Sequence, residues 1–78
     1  MSETVATVCR SLGHLAEALL AQYASQQDPG RASRCRLAAG HARLAEIHND
    51  LGDMDEAIEN IEQAQEIVMD LLKKEANQ

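Results

Sequence analysis

A tight turn followed by a long amphipathic segment, residues 51–72, constrains the fold most strongly. Gly52 disfavours helix continuation, because glycine costs about 1 kcal/mol relative to alanine in a helix interior. Asp53 is predicted to cap a new helix through its side chain, with Glu56 placed to complete a capping box. Apolar residues then recur at three- and four-residue intervals: Met54, Ala57, Ile58, Ile61, Ala64, Ile67, Val68, Leu71 and Leu72. The pattern predicts that one helix ends at this turn and the next folds back on it.

The same spacing predicts two earlier helices, and residues 26–30 separate them. Asp28 is suited to cap a helix, and Pro29 suits its first turn. We expect helices over about residues 3–26, 30–50 and 53–75. The first is either continuous through Gly13 or hinged there. With no strand pattern in the sequence, the predicted fold is all-α, an antiparallel three-helix bundle in a single domain, residues 1–78.

The amino-acid composition excludes some classes of binding partner. The chain has 78 residues, contains neither Trp nor Phe, and has Tyr23 as its one aromatic residue. An aliphatic, alanine-rich core of this size only just offsets chain entropy. The net charge of −6 argues against a nucleic-acid partner, since phosphate binding needs a basic face. No apolar run approaches the roughly 20 residues of a membrane span, and two cysteines do not form a secreted disulfide framework, so we expect a cytoplasmic protein without a membrane partner.

Catalytic and metal-binding patterns are weak. His41 and His48 are seven residues apart, about 10 Å along a helix, which is too far for two ligands of one zinc ion. Cys9 and Cys35 show no zinc-site spacing and are more typical of small buried side chains. We therefore expect neither a cofactor nor enzymatic activity.

Two blocks of the chain align with each other at an offset of 39 residues, around Gly13 and around Gly52. The second block is more specific: residues 38–67 resemble a tetratricopeptide repeat, a helix-turn-helix unit of about 34 residues that stacks into superhelices. The resemblance is carried by Leu44, Ala45, Gly52, Asp53, Glu56, Ala57, Ile61 and Ala64. It implies that Leu44 and Ile61 are large packing residues and that the alanines allow close helix approach. His41, His48 and Met69 depart from the family pattern.

Two surfaces are candidates for binding. The first is a partner surface on the second helix, formed by Arg31, Arg34, Arg36, Arg43, Glu46 and Asn49. It is interpreted either as a solvated face with weak salt bridges, in which Arg34 or Arg36 meets Glu66 or Asp70, or as a basic patch for an acidic peptide. The family geometry implies that Ala42, Arg43, Glu46 and Asn49 face a groove. The second surface is a self-association site at Val68, Leu71 and Leu72.

The resulting hypothesis is a non-catalytic protein–protein interaction or adaptor module of tetratricopeptide type that self-associates. One alternative is a pure oligomerisation domain. Another is a three-helix module of the microtubule-interacting-and-transport kind, which the Gly-Asp-x-Asp-Glu-Ala turn also resembles. That kind of module implies a further helix after residue 78.

Overall fold

The computed structural model describes residues 2–77 and contains three antiparallel helices. They are α1 (Glu3–Ser25), α2 (Pro29–Asp50) and α3 (Met54–Ala76). The all-α, three-helix prediction is confirmed, and each helix begins and ends within one residue of its predicted position. No strand occurs within the described range. α1 runs through Gly13 without interruption, so the hinge alternative is wrong.

Local side-chain bonds explain where two of the helices begin. The Ser2 hydroxyl accepts a hydrogen bond from the Val5 N–H at 3.2 Å, and Asp28 Oδ1 accepts one from the Arg31 N–H at 3.1 Å. Asp53 occupies the N-cap position of α3, but its side chain makes no capping hydrogen bond. The prediction of a side-chain cap there is wrong. Its carboxylate instead lies 3.6 Å from His48 Nδ1, an ion-pair distance too long for a hydrogen bond.

The two turns use the same backbone motif. Gln27 has φ 56° and Gly52 has φ 80°, so each ends its helix in the left-handed region. The Asp28 N–H donates to the Tyr23 carbonyl at 2.9 Å, and the Asp53 N–H donates to the His48 carbonyl at 2.8 Å. These are Schellman-type bonds, which satisfy the last free carbonyls of a helix. Each aspartate therefore closes one helix and is also the N-cap of the next.

α2 lies between α1 and α3 and contributes mostly small side chains to the interior. Its buried residues are Ala32, Cys35, Ala38, Ala42, Ala45 and Asn49. α1 and α3 meet mainly at one end of the bundle, in a cluster that contains Leu19, Tyr23, Val68 and Leu71. The other end, with the first halves of α1 and α3, stays more open.

Burial corrects part of the predicted packing. Ala45, Ala57 and Ala64 are fully buried, as close helix approach requires. Leu44, in contrast, is 47% exposed, so it is not a packing residue within the described chain, and Ile61 is only half-buried. The physical reason is that α2 has a neighbour on two sides, and its small residues face both of them while its large ones point outward.

Candidate interaction surfaces

The closed end of the bundle is tied together by polar contacts on Glu75. The Tyr23 hydroxyl donates to Glu75 Oε2 at 3.0 Å, and Gln22 Nε2 donates to Glu75 Oε1 at 2.8 Å. The Arg31 guanidinium lies 5.7 Å from the centroid of the Tyr23 ring, within cation–π range. Burial, followed by the hydrogen bond to Glu75, raises the pKa of Tyr23 above its ordinary value. This end is a structural contact rather than an open site.

The predicted basic surface is divided between faces of α2. Arg31 pairs with Asp28 at 3.7 Å. Arg34 pairs with Asp70 at 3.3 Å, which confirms the predicted contact between the second and third helices. Arg36 and Arg43 are exposed. Two of the four arginines therefore already have partners within the chain.

Glu46 and Asn49, the other members of that surface, also have partners. Glu46 pairs with Arg10 of α1 at 3.4 Å. Asn49 is completely buried: its Oδ1 accepts from the Ser2 N–H at 3.0 Å, and its Nδ2 donates to the Ser2 carbonyl at 2.9 Å. The prediction that Asn49 faces a binding groove is therefore wrong. Sequence alone gave no signal for this bond, because an asparagine beside a turn is typical of exposed positions.

The predicted self-association site is also corrected. Val68 and Leu71 are buried within the cluster that joins α1 and α3, so they are core residues of the single chain. Leu72 is 42% exposed and is the one member of that set open to a partner. An aliphatic run near a helix end predicts burial correctly, but it does not tell whether the covering helix belongs to the same chain.

Apolar side chains remain half-buried or exposed on the first halves of α1 and α3, on the same helix faces that pack together at the closed end. On α1, Leu19 packs against α3, and the residues four, seven and eleven positions before it share its face. On α3, the positions seven, ten and fourteen before Val68 likewise share its face. We define the α1–α3 groove by these side chains, all half-buried or exposed: Val8, Leu12, Leu15, Met54, Ile58 and Ile61.

A second apolar surface runs along the outside of α2. Its members recur at three- and four-residue intervals, as the positions of one helix face do. We call it the α2 stripe and define it by Leu37, Gly40, Leu44, Ile47 and Leu51, all exposed. Large apolar patches on a surface commonly mark interaction sites. The family resemblance implies that Leu44 is a packing residue, and the sequence analysis therefore does not predict this surface.

The two cysteines are not placed as reactive nucleophiles. Cys9 and Cys35 are buried free thiols, and burial raises the pKa of both, which disfavours the reactive thiolate. Cys9 borders a depression of 180 Å³ between α1 and α2, together with Gly13, His14 and Glu17. His41 Nδ1 is 2.9 Å from Asn60 Oδ1. Over residues 2–77 no group of three or more His, Cys, Asp or Glu side chains is arranged to hold a metal ion.

Comparison with known proteins gave no match to a protein-family model, a curated protein or a solved structure. No family is assigned. Across the part of the chain that the structure describes, none of the helices combines the length and apolar character needed to cross a membrane.

Proposed function

We propose that this protein is a non-catalytic interaction module that binds an amphipathic helix of another protein in the α1–α3 groove. One observation carries the proposal: α1 and α3 close on each other at one end only, and apolar side chains remain exposed along both walls of the open part. Val8, Leu15 and Ile58 are 36%, 41% and 46% exposed. A helix laid between them buries these side chains without requiring any change in the fold.

The charges beside the groove favour a basic partner. Asp55 and Glu62 are exposed on α3 next to the apolar wall. The flanking positions on α1 are the uncharged Thr4 and Ser11. Opposite charges across an interface raise association rates and exclude wrongly charged partners. We therefore expect a partner helix with an apolar stripe flanked by Lys or Arg.

The groove also sets the length of that helix. The apolar side chains that define its α1 wall run from Val8 to Leu15, which spans about 10 Å at 1.5 Å per residue. A partner helix of about 14 residues, or four turns, covers this distance and extends about one turn beyond each end of the wall. Such a peptide is short enough to synthesise, so the proposal is open to a direct test.

The test uses two synthetic 14-residue helical peptides with the same leucine stripe, flanked by Lys in one and by Glu in the other. We expect the Lys peptide to bind with micromolar affinity, about −8 kcal/mol, and to shift the backbone NMR signals of Val8 and Ile58. Ile58→Asp is expected to abolish binding. Leu37→Asp, a matched change of an exposed residue on the α2 stripe, leaves binding unchanged. Equal binding of both peptides, or signal shifts confined to other faces, contradicts the proposal.

We further infer that the α2–α3 hairpin is a tetratricopeptide-like unit. Support comes from the buried Ala45, Ala57 and Ala64 and from the left-handed Gly52 at the turn. The exposed Leu44 is compatible with a unit that stacks on a further helix. Free buried cysteines suit a reducing compartment, and we propose the cytoplasm.

A further inference from the structure

The α2 stripe has the spacing of a helix-pairing seam. Leu37, Leu44 and Leu51 are seven residues apart, and Gly40 and Ile47 lie between them, so the intervals alternate between three and four. Sustained spacing of this kind places one narrow line of side chains along a partner helix. The exposed fractions are high for leucine, at 56% for Leu37 and 75% for Leu51. The stripe lies on a different face of the bundle from the α1–α3 groove.

Gly40 is an independent indication of a close neighbour. It lies in the middle of α2, where glycine destabilises a helix relative to alanine. A Cβ built on Gly40 meets no atom within 4 Å, so nothing within the described chain requires a glycine there. A Cβ on Gly13 would lie 3.9 Å from Ala42 Cβ, which is an ordinary van der Waals distance. Glycine on an exposed face allows another backbone to approach closely.

Charges on the two sides of the stripe are opposite and matched in spacing. On one side, Arg36 and Arg43 are exposed and seven residues apart. On the other side, α3 carries Glu59 and Glu66, also exposed and seven residues apart. The α2–α3 contacts fix their relative heights.

The contacts of His41 with Asn60 and of Arg34 with Asp70 align the two helices. They place Arg43 at the height of Glu59 and Arg36 at the height of Glu66. The stripe therefore has a basic border and an acidic border in register.

We propose that two copies of this chain form a parallel dimer through the α2 stripe. The two copies are related by a two-fold axis that runs parallel to α2 and lies between the two α2 helices. That symmetry brings the basic border of each copy against the acidic border of the other, with Arg43 opposite Glu59 and Arg36 opposite Glu66. Leu37, Leu44 and Leu51 each meet their own counterpart. An antiparallel pair places like borders together and brings the two copies of α3, with their glutamates, side by side, so charge selects the parallel arrangement.

The first test is sedimentation equilibrium from about 5 to about 500 μM, a range in which a dimer of micromolar affinity dissociates on dilution. We expect a reversible monomer–dimer equilibrium. Leu44→Glu is expected to raise the dissociation constant at least about tenfold. Ile58→Glu, in the α1–α3 groove, leaves it unchanged. A monomer at every concentration, or a dimer that Leu44→Glu does not weaken, overturns the proposal.

A charge exchange tests the orientation. Arg43→Glu and Glu59→Arg are each expected to weaken the dimer, and the double variant is expected to recover most of the affinity. Failure of the double variant to recover overturns the parallel arrangement. All three positions changed, including Leu44, are exposed, and circular dichroism verifies that each variant remains helical.

Gly40→Ala distinguishes the effect of Gly40 on the stability of the monomer from its effect on the affinity of the dimer. The substitution is expected to raise the melting temperature of the dilute monomer, because alanine favours the helix, and to weaken the dimer, because the added methyl group keeps the two copies of α2 apart. A tighter dimer contradicts the close approach. The peptide test of the α1–α3 groove uses a different face, so either proposal fails without the other.

Discussion

Asn49 shows how one buried polar side chain fixes the start of the chain against α2. Its amide makes both hydrogen bonds to the backbone of Ser2, and in the described range it is the one fully buried side chain that carries an amide or a charge. A buried amide is tolerated only when its hydrogen bonds are made. The pair of bonds is specific to asparagine here, because its Oδ1 accepts from the Ser2 N–H while its Nδ2 donates to the Ser2 carbonyl.

We predict that Asn49→Leu lowers the free energy of unfolding by about 1–3 kcal/mol, since the backbone groups of Ser2 lose their partners. Asn77→Ala, at an exposed asparagine, is expected to change it by less than about 0.5 kcal/mol. Urea unfolding followed by circular dichroism measures both. A neutral Asn49→Leu would mean that water replaces the amide at Ser2.

At the scale of the helices, the two turns show what a sequence pattern detects. Gly52 ends α2, and the sequence predicts this turn from the glycine itself. Gln27 adopts the same left-handed conformation, but glutamine carries no such signal. The end of α1 was predicted from Asp28 and Pro29 instead, which mark the beginning of the next helix.

We predict opposite effects at these two positions. Gln27→Gly is expected to stabilise the fold by up to about 1 kcal/mol, because it removes the steric cost of a left-handed side chain. Gly52→Ala is expected to destabilise it by about 1 kcal/mol, since it introduces that cost. Thermal unfolding of both variants provides the measurement. The same sign for both changes would show that the turns do not share one motif.

Helix position was predictable from the sequence, but helix orientation in α2 was not. Periodicity locates apolar faces, and in α3 the face is unambiguous. In α2, large apolar residues lie on one side and alanines on another, and the family resemblance favours Leu44 as a packing residue. The alanines are buried because α2 packs against two neighbours, and only small residues let both approach. The binding surfaces depended on this choice, so the α2 stripe was missed.

At the scale of the whole molecule, buried ionisable groups predict a sensitivity to alkaline pH. Burial raises the pKa of Cys9, Cys35 and Tyr23 above their ordinary values. Between the unfolded and the folded pKa, the folded state holds more protons, so stability falls as pH rises. The contribution is complete below about pH 8.5 and is lost progressively above it, first through the cysteines and then through Tyr23.

We expect the urea midpoint to be constant from pH 7 to about pH 8.5 and to fall above that. Tyr23 is the one aromatic residue, so near-ultraviolet absorbance reports its ionisation without interference. Tyr23→Phe is expected to lower stability at neutral pH by about 1 kcal/mol, through the lost bond to Glu75, and to reduce the alkaline loss. An ordinary tyrosine titration in the folded protein would contradict the burial argument.

The two turns contain no spare residues, because Asp28 and Asp53 each bond to the end of one helix and are also the N-cap of the next. One residue inserted near the start of α3 would rotate the rest of that helix by about 100° and advance it by about 1.5 Å relative to α2. Glu59 and Glu66 of α3 would then no longer lie level with Arg43 and Arg36 of α2. The number of residues at the junction of α2 and α3 therefore sets the register between the basic and acidic borders of the proposed dimer surface. A change in that number is expected to alter which chains pair, while the core residues stay the same.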